Sequence, residues 1–314
     1  MLRIVFMGTP EFAVPTLESL LSWSGCQVVA VVTAPDKPAG RGRQLAASAV
    51  KQAALAHNLP VLQPVNLKSP EFQEELRSYA ADLQVVVAFR MLPEAVWNMP
   101  RLGSINIHAS LLPQYRGAAP INWALIQGET ETGVTSFFLQ HEIDTGNLIF
   151  QDVVPIAPDD DFGSLYEKLE TTGADLALRT VRAIAAGTAP SLPQTATDNL
   201  RSAPKIQKET GRLDLNQPAS ALVNLVRGLS PTPTAFTQLP DSRILKLFRA
   251  VALPATTASA PVGTWLSDGR TFLRVQAADG QLDLLDVQLE GKKRMPVAEF
   301  LRGFNIAALQ APSA

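Results

Sequence analysis

Short, almost wholly apolar runs alternate with amphipathic stretches through the first two-thirds of the chain. That is the pattern of strands buried on both faces and joined by helices. Leu2–Met7 is the first such run, closed by Gly8-Thr9-Pro10. Phe12–Trp23 then places Phe12, Val14, Leu17, Leu20 and Leu21 on one helical face, with Pro15 in the first turn. Gln27–Thr33 is a second strand, Ala47–His57 a helix and Val61–Leu62 a short strand. Ser69 caps a helix running to Tyr79, with Pro70 at its first position, and Leu83–Ala88 is a strongly apolar strand. Strands at Ser104–His108, Gly133–Leu139 and Leu148–Pro155, a short helix at Ile121–Gln127 and a long one at Asp159–Gly187 complete the series. The long helix carries Leu165, Leu169, Leu176, Val181 and Ile184. The alternation predicts an α/β fold with a doubly wound, mostly parallel sheet.

The pattern then breaks. Residues 188–204 are rich in Pro, Ser and Thr, lack periodicity, and read as a linker. Beyond them one helix, Pro218–Leu229, precedes short strands at Ala235–Leu239, Arg243–Val251, Gly263–Leu266, Thr271–Gln276 and Gln281–Leu289. Turn signals at Asp268-Gly269 and Asp279-Gly280 separate the later ones. Several short strands in about 100 residues suggest a small OB-like β-barrel. The expected division is a first domain over 1–187, a linker over 188–204 and a second domain over 205–314.

Candidate chemistry concentrates at Gly103–Gly117. Period-2 alternation puts Ile105 and Ile107 on one face of the strand and Asn106 and His108 on the other. An amide and an imidazole thus leave one strand end for a loop, Ser110-Leu111-Leu112-Pro113, where open α/β sheets place ligand crevices. A lone histidine there is more often a structural residue than a catalyst. An acid downstream, in His141-Glu142-Ile143-Asp144-Thr145-Gly146, shifts the balance, because three different groups could then share one crevice.

Composition narrows the classes. The chain has 314 residues, 46% hydrophobic and 18% charged, as in ordinary globular domains. The one cysteine, Cys26, forms no internal disulfide, so nothing asks for an oxidising compartment. No window reaches the roughly 18 apolar residues of a membrane span, and the apolar run before Gly8 is too short for a signal-peptide core. Both point to the cytoplasm. His57, His108 and His141 are scattered, and no Cys or His pair has metal-ligand spacing, which argues against a metal enzyme. Charge is unevenly spread. Residues 1–204 hold 14 Lys+Arg against 20 Asp+Glu, net −6, whereas 205–314 hold 13 against 9, net +4. The basic second part hints at a polyanionic partner and is equally that of a solvated surface.

Other motifs exclude more than they assign. Gly8-Thr9-Pro10 is no G-x-G-x-x-G, so a nicotinamide oxidoreductase has weak support. Asp144-Thr145-Gly146 matches an aspartic-protease signature, but that chemistry needs a second carboxylate from a partner motif that the chain lacks. No G-x-S-x-G elbow makes Ser110 a nucleophile. The segment Ala34–Leu45 carries Lys37, Arg41 and Arg43 among prolines and glycines. It reads either as an exposed mobile connector or as a basic arm for phosphates. An Asn, a His and an Asp without metal suit acyl-type transfer to an amine. Asn106 donates to a developing oxyanion, His108 moves a proton, and Asp144 orients the ring or accepts that proton.

These residues resemble those of the methionyl-tRNA formyltransferase family. The likeness runs through IVFMGTPEFAVPTL, PDKPAGRGRQL, INIHASLLPQYRGAAPINWAL, HEIDTGNLI, GRLDL, RGLSPTPTAF and GKKRMP, and so through essentially the whole chain. It implies a Rossmann-like formyltransferase domain and a C-terminal OB-like domain that helps bind tRNA. The implied reaction moves formyl from 10-formyltetrahydrofolate, without metal, to the amino group of methionyl initiator tRNA. The N-x-H and D-T-G patterns map the catalytic trio onto Asn106, His108 and Asp144, and the folate border onto Ser110, Leu111, Leu112 and Pro113. The basic loop with Arg41 and Arg43 looks like the family's arm against the acceptor stem, and Lys292 and Lys293 are further expected tRNA contacts. A monomer without membrane association is expected.

One segment departs from the family pattern. Where many members read V-V-A-Y-G-L-I-L-P, this chain has Val86-Val87-Ala88-Phe89-Arg90-Met91-Leu92-Pro93, one residue shorter. There it is similar to the phosphoribosylglycinamide formyltransferases, whose loop gives backbone contacts to the pterin, and Arg90 and Leu92 are the expected folate-side residues. The competing readings are a folate-dependent formyltransferase of another amine and a 10-formyltetrahydrofolate hydrolase using the same trio with water.

Overall fold

The computed structural model describes residues 1–39, 44–195, 199–254, 260–305 and 309. They group into two compact units. The first comprises Met1–Gly117, Glu131–Pro155 and Tyr166–Ser202, and the second Ala118–Thr130, Ile156–Leu165 and Ala203–Ala314.

In the first unit the apolar runs become strands of one sheet: β1 (Leu2–Gly8), β2 (Cys26–Val32), a hairpin of β3 (Lys37–Ala39) and β4 (Gln44–Ala46) outside it, then β5 (Val61–Leu62), β6 (Leu83–Val87) and β7 (Ser104–His108). After β8 (Arg116–Gly117), the strands β9 (Glu131–Phe138) and β10 (Leu148–Pro155) close the order β10-β9-β7-β6-β1-β2-β5. The pairs β1–β2, β1–β6, β6–β7 and β2–β5 are parallel; β7–β9 and β9–β10 are antiparallel. The expected mostly parallel sheet is therefore present. Helices α1 (Val14–Ser22), α2 (Ala49–Ala56), α3 (Pro70–Ser78) and α4 (Glu94–Trp97) connect the parallel strands. Ser48 and Ser69 cap α2 and α3 through their hydroxyls, accepting from Lys51 N and Phe72 N.

The ends of the basic loop are not a free connector. Lys37 pairs with Ala46 and Ala39 with Gln44 as antiparallel strands. Arg41 and Arg43, expected to face tRNA, lie outside the described residues.

Register decides which face of β7 does what. Ile107 lies beside Ser136 of β9, and Ser136 Oγ accepts a 2.8 Å hydrogen bond from Thr180. Thr180 belongs to the long helix that follows α5 (Pro120–Ile126), α6 (Phe162–Ala185), so α6 covers the isoleucine face. On the opposite face Val86, beside Asn106, enters a core with Phe72, Leu76, Leu92 and Val96 from the side of α3 and α4. Over β7 itself that second face is left to the loops after β7 and β9.

In the second unit, α7 (Ala219–Leu229) and β12 (Ala235–Gln238) follow the short β11 (Ser202–Ala203). Next come β13 (Ile244–Pro254), β14 (Trp265–Ser267), β15 (Leu273–Gln276), β16 (Gly280–Leu289), β17 (Met295–Pro296) and α8 (Val297–Arg302). The sheet is antiparallel in the order β12-β13-β16-β15-β14, with β17 on β16. The register between its two longest strands shifts around Arg249, as at a β-bulge. Leu222, Val226 and Leu229 of α7 pack into its apolar interior. The short helix α5 clusters here too: Asn122 donates to the carbonyl of Gly228 over 2.8 Å.

Candidate active site

Asn106 and His108 end β7 on the same face. Asn106 is half-buried and makes no side-chain hydrogen bond among the described residues, whereas His108 is 7% exposed. Nε2 of His108 lies 2.9 Å from the carbonyl oxygen of Tyr115. A carbonyl only accepts, so Nε2 carries the proton, and Nδ1 is the ring atom left for chemistry.

Asp144 arrives by an indirect route. Because β9 is antiparallel to β7, His108 lies beside Thr135, while Phe138 lies beside Ile105. The loop after β9 therefore starts at the far end of β7 and folds back over the sheet. It returns Asp144 Oδ2 to 3.8 Å from His108 Nδ1, with the two side chains only 12% and 7% exposed. Asp144 adopts φ +55°, one of the few left-handed non-glycine residues. Gly146 makes the return path feasible: a Cβ there would sit 1.6 Å from the carbonyl oxygen of Phe138. The backbone N–H of Gly117 donates to Asp144 Oδ2 over 2.9 Å.

At 3.8 Å the ring nitrogen and the carboxylate are too far apart for a direct hydrogen bond. With Nε2 protonated, Nδ1 and Oδ2 both present lone pairs, so the pair faces a donor such as a water or a reacting amine rather than bonding each other.

The loop Ser110–Pro113 is held from below. Thr135 Oγ1 donates to the carbonyl of Ser110 over 2.6 Å and accepts from Leu112 N at 3.1 Å. Gln151 Nε2 donates to Leu112 O and to Thr135 Oγ1, both over 2.9 Å. Ser110 Oγ donates to Gln114 O over 2.6 Å, so its hydroxyl is occupied and fully buried.

The remaining expected site residues are dispersed. Arg90 donates to the carbonyls of Pro64 and Val65, 3.0 Å to the latter, so its guanidinium fixes a neighbouring loop. Leu92 is 7% exposed and belongs to the core under α3 and α4. In this segment Ala88, Arg90 and Met91 are exposed, Met91 to 67%. Lys292 and Lys293 are exposed in the turn between β16 and β17 of the second unit. Among the described residues no group of three or more His, Cys, Asp or Glu is arranged to hold a metal ion. No helix there is long and apolar enough to cross a membrane.

Sequence reasoning missed Thr135, Gln151, Tyr115, Gly117 and Gln194. Thr135 had a signal, since period-2 reading of β9 faces it away from buried Ser136. Tyr115 and Gly117 act through main chain and Gln194 from the expected linker, which leaves no pattern, and Gln151 reaches the loop from β10, a strand with no sequence link to it.

The sheet order, the trio at the end of β7 and the antiparallel C-terminal sheet define a class. The chain belongs to the formyl transferase family: residues 2–181 match the formyl transferase model and 205–305 the model of the formyl transferase C-terminal domain. Within that family it is 54% identical to the methionyl-tRNA formyltransferase of Bacteroides fragilis, over 97% of this chain and 96% of that protein. It is 46% identical to that of Porphyromonas gingivalis, over 98% and 97%. Among solved structures it shares its fold with the N-formyltransferase of Helicobacter canadensis in complex with folinic acid and dTDP-3-aminofucose. That likeness has a TM-score of 0.66 at 18% identity, over 94% of this chain and 100% of that one.

Proposed function

We propose that the protein transfers the formyl group of 10-formyltetrahydrofolate to the free amino group of methionyl initiator tRNA, giving N-formylmethionyl-tRNA for translation initiation. The observation that carries this reading is the 3.8 Å approach of Asp144 Oδ2 to His108 Nδ1 beside Asn106, in a chain more than half identical to a methionyl-tRNA formyltransferase.

A free α-amino group has a pKa of about 7.7–8.0, so part of it is nucleophilic near neutrality. The protein needs mainly to stabilise negative charge on the formyl oxygen and to move one proton. The Asn106 amide, without another side-chain partner among the described residues, donates to that oxygen. Nδ1 of His108 and the Asp144 carboxylate take the amine's proton and return it towards the leaving nitrogen. The Tyr115 carbonyl holds the ring in the tautomer this requires. No covalent enzyme intermediate is involved.

Folate is assigned to the crevice bordered by Ser110, Leu111, Leu112 and Pro113 and by the main chain around Arg90 and Leu92. Met91 and Ile143, 67% and 60% exposed, supply apolar surface for a flat pteridine. The first domain, 1–187, catalyses; the linker, 188–204, joins it to a tRNA-binding domain, 205–314. Arg41, Arg43, Lys292 and Lys293 meet tRNA phosphates. The protein acts as a cytoplasmic monomer without membrane association.

The test is product analysis with the formyl donor and three acceptors: charged initiator tRNA, an amino-sugar nucleotide and water alone. Formylated methionyl-tRNA is the expected product. Turnover of the donor at equal rate without tRNA would instead identify a hydrolase, and formylation of the sugar nucleotide another amine acceptor.

A further inference from the structure

We propose that Gln194, from the expected linker, is a positioning residue that sets the separation of Asp144 from His108. The inference rests on the catalytic reading of that pair. In the segment Ser191–Thr195 every side chain is exposed except Gln194, which turns inward. Its amide nitrogen donates to two carbonyls of the acid's turn, Asp144 O and Gly146 O, each over 2.9 Å. Its amide oxygen accepts from Arg116, 3.2 Å from Nε and 2.5 Å from Nη2.

These bonds close a ring. Gln194 ties the turn to Arg116; the next residue, Gly117, donates its N–H to Asp144 Oδ2. The preceding residue, Tyr115, offers the carbonyl that holds His108 Nε2. Both members of the pair are thus referenced to residues 115–117, and Gln194 is the side chain that joins the acid's main chain to that segment. The same strand of chain grips both sides elsewhere. Leu192 and Leu148 exchange backbone hydrogen bonds of 2.7 and 2.9 Å, and Tyr115 N donates to Arg201 O over 2.7 Å. A left-handed residue such as Asp144 keeps its geometry only where its surroundings over-determine it. Gln194 supplies that constraint.

The experiment is a double-mutant cycle on the full chain with formyl donor and charged initiator tRNA. Gln194→Met keeps the volume and removes all four bonds. It is expected to lower kcat by roughly 10–100-fold, as a small misplacement of reacting groups does, with both KM values within about twofold. In an Asp144→Asn background the same change is expected to cost no more than about twofold, because the group being positioned is already disabled. The Gly117 amide proton is expected to move upfield in a ¹H–¹⁵N spectrum of Gln194→Met as its bond to Asp144 weakens. Arg116→Met, which removes the other half of the tie, is expected to behave alike and serves if Gln194→Met folds poorly. An equal fold-loss in both backgrounds, or no loss in the native one, overturns the role of Gln194 while leaving the catalytic pair intact. A native rate in Asp144→Asn alone overturns the pair and this inference with it.

Discussion

The main-chain N–H of Gly117 donates to Oδ2 of Asp144 over 2.9 Å, on the same carboxylate oxygen that faces His108. The carboxylate oxygen is therefore aimed by a backbone N–H. Two residues earlier the backbone also aims the imidazole, through the Tyr115 carbonyl. A three-residue segment thus sets both halves of a pair whose own positions are 36 apart in sequence.

Asn106→Ala is expected to slow formyl transfer by on the order of 10²–10³, the usual cost of one oxyanion donor. The side chain has no other hydrogen-bond partner among the described residues, so folding stability should hardly change. Steady-state kinetics alongside folate binding checks this. Undiminished turnover with intact folate binding would take Asn106 out of the mechanism.

Thr135→Val keeps shape but deletes the hydroxyl beneath the Ser110–Pro113 loop. The carbonyl of Ser110, Leu112 N and Gln151 Nε2 each lose a partner in a site where Thr135 is fully buried. The expected loss is about 2–4 kcal/mol of unfolding free energy, read by urea denaturation. A larger KM for the formyl donor should accompany it.

The base of the basic hairpin should respond to acid. Lys51 Nζ lies 2.6 Å from Asp36 Oδ2 and Gln63 Nε2 lies 2.8 Å from Oδ1. The Lys51 hydrogen bond first, and Gln63 second, hold this carboxyl below its usual range. A lowered pKa in the folded state stabilises above the unfolded value of about 3.9, and that contribution disappears as pH falls through the folded value. Asp36→Asn should therefore melt below the native protein at pH 7, and the gap should close on acidification. Melting curves between pH 7 and pH 3 test it; a constant gap refutes the linkage.

Arg41→Ala with Arg43→Ala should weaken tRNA binding and reduce the slope of log Kd against log salt by up to roughly 2, one for each phosphate left without its arginine. An unchanged slope would make the loop a connector. Formylation at saturating tRNA should persist, since neither residue belongs to the trio.

Most of the architecture was legible in one dimension because buried parallel strands must be apolar on both faces. Leu2–Met7 and Leu83–Ala88 could hardly be anything else, and Ser69 begins its helix where its hydroxyl meets a free N–H, whereas the cap at Ser48 lies inside the helix expected over Ala47–His57. Asn106 and His108 were likewise legible as a pair, since a two-residue spacing in a strand guarantees a shared face. The loop around Arg90 shows the limit. Its sequence named side chains for the folate crevice, yet Arg90 turns to the carbonyls of Pro64 and Val65 and Leu92 sinks into the core.

The sequence by itself determined the elements, the buried faces and the residue types at the end of β7, because each follows from periodicity within one segment. Only the tertiary structure decided that Asp144 meets His108. The strand before it runs away from that histidine, and the acid comes back through a tight turn that Gly146 permits and Gln194 ties down. Such closure depends on hydrogen bonds between positions tens of residues apart, most of them involving main chain, and backbone atoms are the same under every side chain.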